Sequence, residues 1–301
     1  MRKILTVAAA LAAAAVFIPQ ALAADPVPFP STTVVQVFVA TQTVTTGGAM
    51  ANYFAPGSTV VFRAYAVDQK TKKVVTSSDV RYFYITIPGQ PNVKLKFNPT
   101  APGATATMPF VGTWTVPSSY PAGTVHFKVL IQTTQKMKGQ FVQMPVAPAQ
   151  LTISPTPPPV AASGPAATTT ALPATQDVSI YVDSVNGTRP VGAAPRPIGC
   201  TQTNVYKRGE QFVLRSWGSD ESTGAILSTD NVSEAHWSIA GQPDVKLNWG
   251  AHGSPGGQVY FWSAPWNIPA TYPLGDVTIK VTYTLESGKV GTYDYPITII
   301  P

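Results

Sequence analysis

The sequence has one cysteine, three histidines and few charges of either sign. Each scarcity removes a class of chemistry or of structure. A lone Cys200 excludes an intramolecular disulfide, so no covalent staple holds the fold. Its thiol is left for an intermolecular bridge or a reactive role, or it is an incidental loop residue, which is the simpler reading. The histidines, His126, His236 and His252, show no metal-ligand spacing to one another, whereas a metal site or a catalytic triad needs convergent His, Cys or carboxylates. No run after the N-terminal segment is long and apolar enough to span a bilayer. No stretch carries the apolar period of an amphipathic helix. There is no twin arginine, and no cysteine stands where a lipid anchor would need one.

What is present begins with Met1, Arg2 and Lys3, a short basic start, followed by an apolar stretch from Ile4 to Ile18. Ala21 to Ala23 then matches a small-x-small cleavage site. Residues 1–23 therefore read as a secretory signal peptide, with the mature chain beginning near Ala24. An uncleaved anchor is the rival, and the short apolar run followed directly by a cleavage site counts against it. The remaining chain is rich in Pro, Thr and Val, a composition of short strands and many turns.

An internal repeat sets the organisation. Ala55–Arg63 aligns with Lys207–Arg215, and Gly89–Leu95 with Gly241–Leu247. Trp114 aligns with Trp266, Pro117 with Pro269, and Tyr120–Gly123 with Tyr272–Gly275. All these pairs are 152 positions apart, for example 114 and 266. A constant offset over most of a domain is a duplication signal. Upstream, Val35–Val39 resembles Val178–Val182 at an offset of 143, which puts about nine extra residues into the second copy, within the loop that carries Cys200. Between the copies lies a segment with Pro155, Pro157, Pro158, Pro159 and Pro165, a semi-stiff spacer that cannot bury enough apolar surface to fold. The expected division is 24–153, linker 154–176, and 177–301, with each copy folding alone and no core shared between them.

Within each copy, apolar residues alternate. Val60, Phe62, Ala64 and Ala66 share one parity; Val125, Phe127, Val129 and Ile131 share another. Period two means half-buried strands. Asp68–Lys72 and Asp220–Gly224 read as hairpin turns opened by Asp. About seven strands per copy suggest an all-β sandwich. With Trp237 on the third strand, where Ile85 stands in copy one, and a Tyr-Pro-x-Gly turn before Val125 and Val277, the chain resembles tandem bacterial immunoglobulin-like or fibronectin-type-III-like sandwiches. The resemblance implies two such sandwiches joined by the Pro/Ala/Thr-rich linker. The cysteine pair typical of immunoglobulin domains is missing, so packing must replace it. The resemblance implies no particular ligand.

The chemical motifs favour a binding or structural protein over an enzyme. His252 to Gly256 misses the Gly-x-Ser-x-Gly elbow by its first residue and lacks a strand-to-helix context. Asp220 and Glu221 with Asp230 offer oxygens for calcium, but a plain turn explains them more simply. Neither a metal nor another cofactor is expected. Arg63 and Arg215 fall on the outward parity, two residues before Tyr65 and Trp217, as exposed cation–π pairs. Copy one is basic: ten Lys and Arg from Arg63 to Lys138 face only Asp68 and Asp79. Such a domain attracts polyanions, which for an exported protein means an acidic glycan or protein surface of the envelope; nucleic acid is excluded by export. Candidate contact residues are Tyr82 and Tyr84, which share the outward parity, with His126 and Lys128 on a strand expected beside them. In copy two, Trp237 and Trp249 are expected in the core, and Trp262, beside Tyr260 and Phe261, at a sugar- or protein-binding surface. The function expected is an exported, periplasmic or extracellular, non-enzymatic binding or structural protein. A periplasmic assembly chaperone or an accessory subunit of an exported enzyme complex is the alternative.

Overall fold

A computed structural model describes residues 36–98, 108–142, 151–158, 177–187, 199–252 and 259–301. The expected leader, most of the expected Pro-rich linker, and Ser254 of the near-miss elbow lie outside the described residues. Among the described residues there is no helix, and none is long and apolar enough to cross a membrane.

The strands fall into two sets with one plan. The first comprises β1 (Val37–Val44), β2 (Tyr53–Phe54), β3 (Thr59–Asp68), β4 (Val80–Thr86), β5 (Val93–Lys94), β6 (Lys96–Phe97), β7 (Phe110–Thr115), β8 (Gly123–Thr124), β9 (Lys128–Thr133), β10 (Lys138–Val142) and β11 (Thr152–Ile153). The second comprises β12 (Val178–Asn186), β13 (Val205–Lys207), β14 (Gln211–Asp220), β15 (Val232–Ser238), β16 (Val245–Lys246), β17 (Asn248–His252), β18 (Val259–Asn267), β19 (Gly275–Leu285) and β20 (Val290–Ile300). One sheet of each set runs β1-β3-β7-β6 or β12-β14-β18-β17. The opposing sheet runs β13-β20-β19-β15-β16 in the second set. In the first it is divided into β10-β9-β4-β5 and β2-β11-β8, because β8 with β9, and β10 with β11, follow the courses of the single strands β19 and β20. Two facing sheets in this order, antiparallel except for the parallel pairs β2–β11 and β13–β20, make an immunoglobulin-like sandwich.

Packing stands in for the missing disulfide. Trp237 is fully buried, edge-on to Phe212 and to Trp266, each at 5.8 Å. In the first set Phe62 meets Phe127 at 5.1 Å and Phe83 meets Phe110 at 5.0 Å, both T-shaped. Such pairs add about 0.5–1.5 kcal/mol each beyond area burial. The paired Trp and Tyr of the two copies meet in the same way. Trp114 lies 5.0 Å from Tyr120, and Trp266 lies 5.1 Å from Tyr272, in nearly perpendicular contact.

The register corrects the offset of the first strand. Val37 pairs with Asp68 and Val178 pairs with Asp220, and Asp68 and Asp220 are equivalent. Val178 therefore corresponds to Val37 rather than to Val35, an offset of 141, and the insertion in the second copy is correspondingly longer. The glycines agree. A Cβ at Gly139 would lie 2.3 Å from the Val37 carbonyl oxygen, and one at the equivalent Gly291 would lie 2.5 Å from Val178 Cβ. Both glycines let the first strand of their set approach the last.

The expectation of separate cores is overturned. One continuous apolar cluster holds residues of both sets. Strands β1 and β12 are buried along their whole length, because each has its own sandwich on one side and the other set against it. The Tyr65 hydroxyl donates to the Ile180 carbonyl, and Gln42 Nε2 to the Val182 carbonyl, each at 2.5 Å. These bonds satisfy main-chain acceptors of β12, a sheet edge that would otherwise stand open. Phe141 packs on Tyr181, and Tyr65 on Tyr293. At the rim, Lys72 pairs with Asp177.

Two bonds across this seam are reciprocal. The Met50 amide donates to Asn204 Oδ1 at 2.7 Å, and the Gln202 amide donates to Asn52 Oδ1 at 2.9 Å. Met50 and Gln202 are equivalent positions, as are Asn52 and Asn204, each pair at the offset of 152. A contact in which i meets j while the equivalent of j meets the equivalent of i is the mark of a two-fold arrangement.

The seam also relocates the two arginines. Arg63 and Arg215 point away from their own cores, as their parity requires, but they are 2% and 3% exposed. Arg215 grips Asp183 with Nε and Nη2, both at 2.6 Å. Arg63 Nε instead donates to the Gln42 amide oxygen at 2.8 Å. Exposed cation–π pairs are therefore not what these residues form. Glu221, 1% exposed, accepts a hydrogen bond from Ser219 at 3.0 Å. Burial, opposed by serine hydroxyls and reinforced by Asp220 and Asp68, pushes its pKa up to about 7.

Candidate functional site

Strand β4 buries Phe83 and Ile85 and turns Tyr82 and Tyr84 outward, half-buried, with their rings 5.2 Å apart. Its partner is β9, as the sequence reading required: Tyr84 stands opposite Leu130, Tyr82 opposite Gln132, and Thr86 opposite Lys128. On the other side Tyr84 faces Lys94 of β5. Beyond β9, Lys138 of β10 stands opposite Gln132. Lys128 and His126 are exposed, alternating with buried Val125, Phe127 and Val129. One outer sheet face thus gathers Tyr82, Tyr84, His126 and Lys128. Lys94 and Lys138 join it, and only the strand register brings them there.

Trp262 is not part of any exposed face. It is 5% exposed, its indole N–H donates to the Leu227 carbonyl at 2.9 Å, and it meets Tyr283 edge-on at 5.7 Å. The expected surface tryptophan is a core residue. Its register partner on β17, Trp249, was expected in the core and is instead partly exposed. Trp249 stacks on Tyr260, which is 53% exposed, with centroids 6.0 Å apart and planes at 30°.

The second set presents different chemistry at the place of the tyrosines. His236 faces Lys246 as Tyr84 faces Lys94, so Glu234 and His236 occupy the positions of Tyr82 and Tyr84. His236 Nδ1 lies 3.3 Å from Glu234 Oε1 without hydrogen-bond alignment, and its Nε2 lies 3.9 Å from Asp244 Oδ2. These side chains, with Lys246, Asn248 and Trp249, line a cleft of about 530 Å³ between β15–β16 and β17–β18, and Trp262 closes its inner wall.

The remaining candidates have structural partners. Asp220 receives Lys289 Nζ on both oxygens, at 2.7 and 2.8 Å, and the Ser222 amide at 2.8 Å. Burial opposes ionisation there, but Lys289 and Ser222 hold the carboxyl below its ordinary range. That is a turn residue tied to a lysine. Among the described residues no group of three His, Cys, Asp or Glu side chains is placed to hold a metal ion. His252 stacks on Phe261 at 3.8 Å, and Cys200 is exposed.

No protein-family model matches the chain, and no curated protein matches it in sequence. Solved structures similar to it include the fibronectin(III)-like modules of Clostridium thermocellum CbhA, at 10% identity over 87% of this chain and 94% of that one, with a TM-score of 0.21. Another is the Bacteroides ovatus mixed-linkage glucan utilization locus SGBP-B in complex with a mixed-linkage heptasaccharide, at 11% identity, 83% and 43% coverage, and a TM-score of 0.18. A third is the C-terminal domain of the Streptococcus agalactiae AgI/II polypeptide BspA, at 8% identity, 88% and 100% coverage, and a TM-score of 0.20. The chain spans less than half the length of the SGBP-B chain. The immunoglobulin-like assignment rests on the strand order and register given above.

Proposed function

We propose that the protein is an exported, non-enzymatic binding or structural component of the cell envelope or extracellular space. Residues 1–23 serve as its leader, 24–153 and 177–301 as its two repeats, and 154–176 as the connection. Its partner is an acidic glycan or an acidic protein surface. The supporting observation is the outer face of the first repeat, where touching Tyr82 and Tyr84 are flanked by Lys94, Lys128 and Lys138. Tyrosine offers contact area at low entropic cost, and exposed lysines attract and orient an anionic surface. A chaperone that lends a strand edge is disfavoured at β5, β6 and β16, which are two residues each, and of these outer edges only β17 is longer, at five residues.

The test is sedimentation of the full chain with isolated cell envelopes, with and without Tyr84→Ala and Lys128→Ala combined. Exposed charges are screened over about 10 Å at 0.1 M salt, so wild-type binding should weaken steeply as salt rises. The double variant should lose binding while its melting temperature falls by no more than about 3 °C, since both changes lie on a solvated face. Unchanged binding in that variant removes the face from consideration. Turnover in a broad hydrolase screen that disappears with His236→Ala would overturn the non-enzymatic reading.

A further inference from the structure

The cleft in the second repeat brings aromatic, carboxylate, imidazole and amide groups together. Trp249 lines the cleft, and Tyr260 stacks on it at the sandwich edge, one ring partly exposed and the other largely so. Beside Trp249, Glu234 and Asp244 keep their carboxylates 64% and 65% exposed, so neither is spent on holding the fold. His236 stands between them. The 3.9 Å from its Nε2 to Asp244 is too long for a direct hydrogen bond and suits a single bridging oxygen. Asn248 adds an amide, which donates and accepts. The volume, about 530 Å³, is that of an ordinary small-ligand site.

We propose that this cleft binds an uncharged carbohydrate chain. A sugar ring has an apolar C–H face and a polar rim of hydroxyls. Its face would lie on the open side of the Trp249–Tyr260 stack at the mouth of the cleft, and its hydroxyls would donate to Glu234 and Asp244 and meet His236 and Asn248. One hydroxyl oxygen fills the space between the imidazole and Asp244. The two carboxylates exclude phosphorylated or uronic-acid ligands by repulsion. Lys246, paired across the ladder with His236, counters much of the negative charge and so disfavours a simple cation. The equivalent place in the first repeat has Tyr82, Tyr84, Lys94, Lys96 and Phe97, basic and aromatic without a carboxylate. The two repeats therefore carry sites of different preference at one position of the fold, and this second site stands independently of the first repeat's acidic partner.

Calorimetric titration of the full chain, backed by tryptophan fluorescence, tests the proposal. The probes are cellohexaose, maltohexaose, mannohexaose and the hexamer of N-acetylglucosamine, each to about 10 mM, which detects millimolar affinity. At least one should bind saturably. Trp249→Ala and, separately, Tyr260→Ala should each weaken that binding by roughly tenfold or more, the scale of one lost stacking or contact interaction. Both positions are at least partly exposed, and Tyr260 sits so far out that its variant keeps the fold. Glu234→Gln with Asp244→Asn should weaken binding while the fluorescence baseline stays unchanged. Tyr84→Ala, on the first repeat, should leave it intact. No saturable binding of any probe, undiminished binding in Tyr260→Ala, or binding only of a cationic probe such as tetramethylammonium overturns the assignment.

Discussion

Arg63 and Arg215 occupy one position in two copies of one fold, and both are buried. Their partners differ. Arg215 has the Asp183 carboxylate, which outweighs the effect of burial and raises its pKa; among the described residues Arg63 has the Gln42 amide oxygen, and burial lowers its pKa. The difference follows from what else each partner must do. Gln42 accepts from Arg63 with its oxygen and donates to the Val182 carbonyl of the other repeat with its nitrogen. A carboxylate there would set an oxygen against that carbonyl. Asp183 has no such duty and accepts instead from Gln202 Nε2 at 3.0 Å. The duplicated scaffold has thus divided its labour: one copy uses the site for an ion pair, the other for a bond between repeats.

Asp183→Asn breaks this comparison most severely, since it turns the second arrangement into an imitation of the first without a partner for the spare amide. Removing one member of a buried pair typically costs about 3–5 kcal/mol, because the remaining charge stays buried. Denaturant unfolding of the full chain should show a loss in that range. A loss below about 1 kcal/mol, the level of an exposed pair, would mean that water reaches Arg215.

Glu221 gives a second contrast, with Asp220 beside it. Asp220 is held ionised by Lys289, whereas Glu221 is buried with its pKa raised to about 7. A raised carboxyl pKa means that the folded state binds the proton more tightly than the unfolded chain does. Its contribution is fully present below the unfolded value near 4.5 and is lost as pH rises through about 7. Glu221→Gln should therefore stabilise the protein at pH 8 by up to about 3 kcal/mol. At pH 4 the two proteins should differ little. A pH-independent difference in melting temperature would show that Glu221 titrates normally.

These contrasts were only partly legible in the sequence. Alternation correctly turned Arg63 and Arg215 away from their own cores, and placed Tyr82 and Tyr84 on an outer face beside Lys128. It could not say that the outside of one sheet is the inside of an assembly. The sign was in β1 and β12, where polar residues such as Thr41, Gln42 and Ser184 are as buried as their apolar neighbours; a strand covered on both sides loses its alternation. Trp262 was misread because three aromatics in a row hide their parity. Counting back from buried Trp266 and Ala264 puts Trp262 inward, while Tyr260, of the same parity, lies beyond the covered part of the sheet. The cleft beside Trp249 depends on two short edge strands meeting across sheets, and no periodicity within one strand records that.

The smallest effect tests the two-fold character of the seam itself. Asn52 and Asn204 each accept an amide hydrogen from the other repeat, and each also offers its own carbonyl to the last strand of its set, to Thr152 and Thr298. Replacing either by Ala keeps the latter bond and removes the former, leaving a buried N–H of Gln202 or Met50 unpaired. Each loss should be about 1–3 kcal/mol. If the repeats meet through equivalent surfaces, the two losses should agree within about 0.5 kcal/mol, and the double variant, at two bonds that adjoin across the seam, should depart from their sum. Equal losses mean a seam that is symmetric in its energetics and not only in outline. A loss confined to Asn52→Ala, with Asn204→Ala neutral, would place the seam's stability on the Gln202 side and refute energetic equivalence. Cutting the chain at a protease site inserted between residues 159 and 176 supplies the control. With both asparagines present, the two fragments should stay together on a sizing column, and the double variant should let them part.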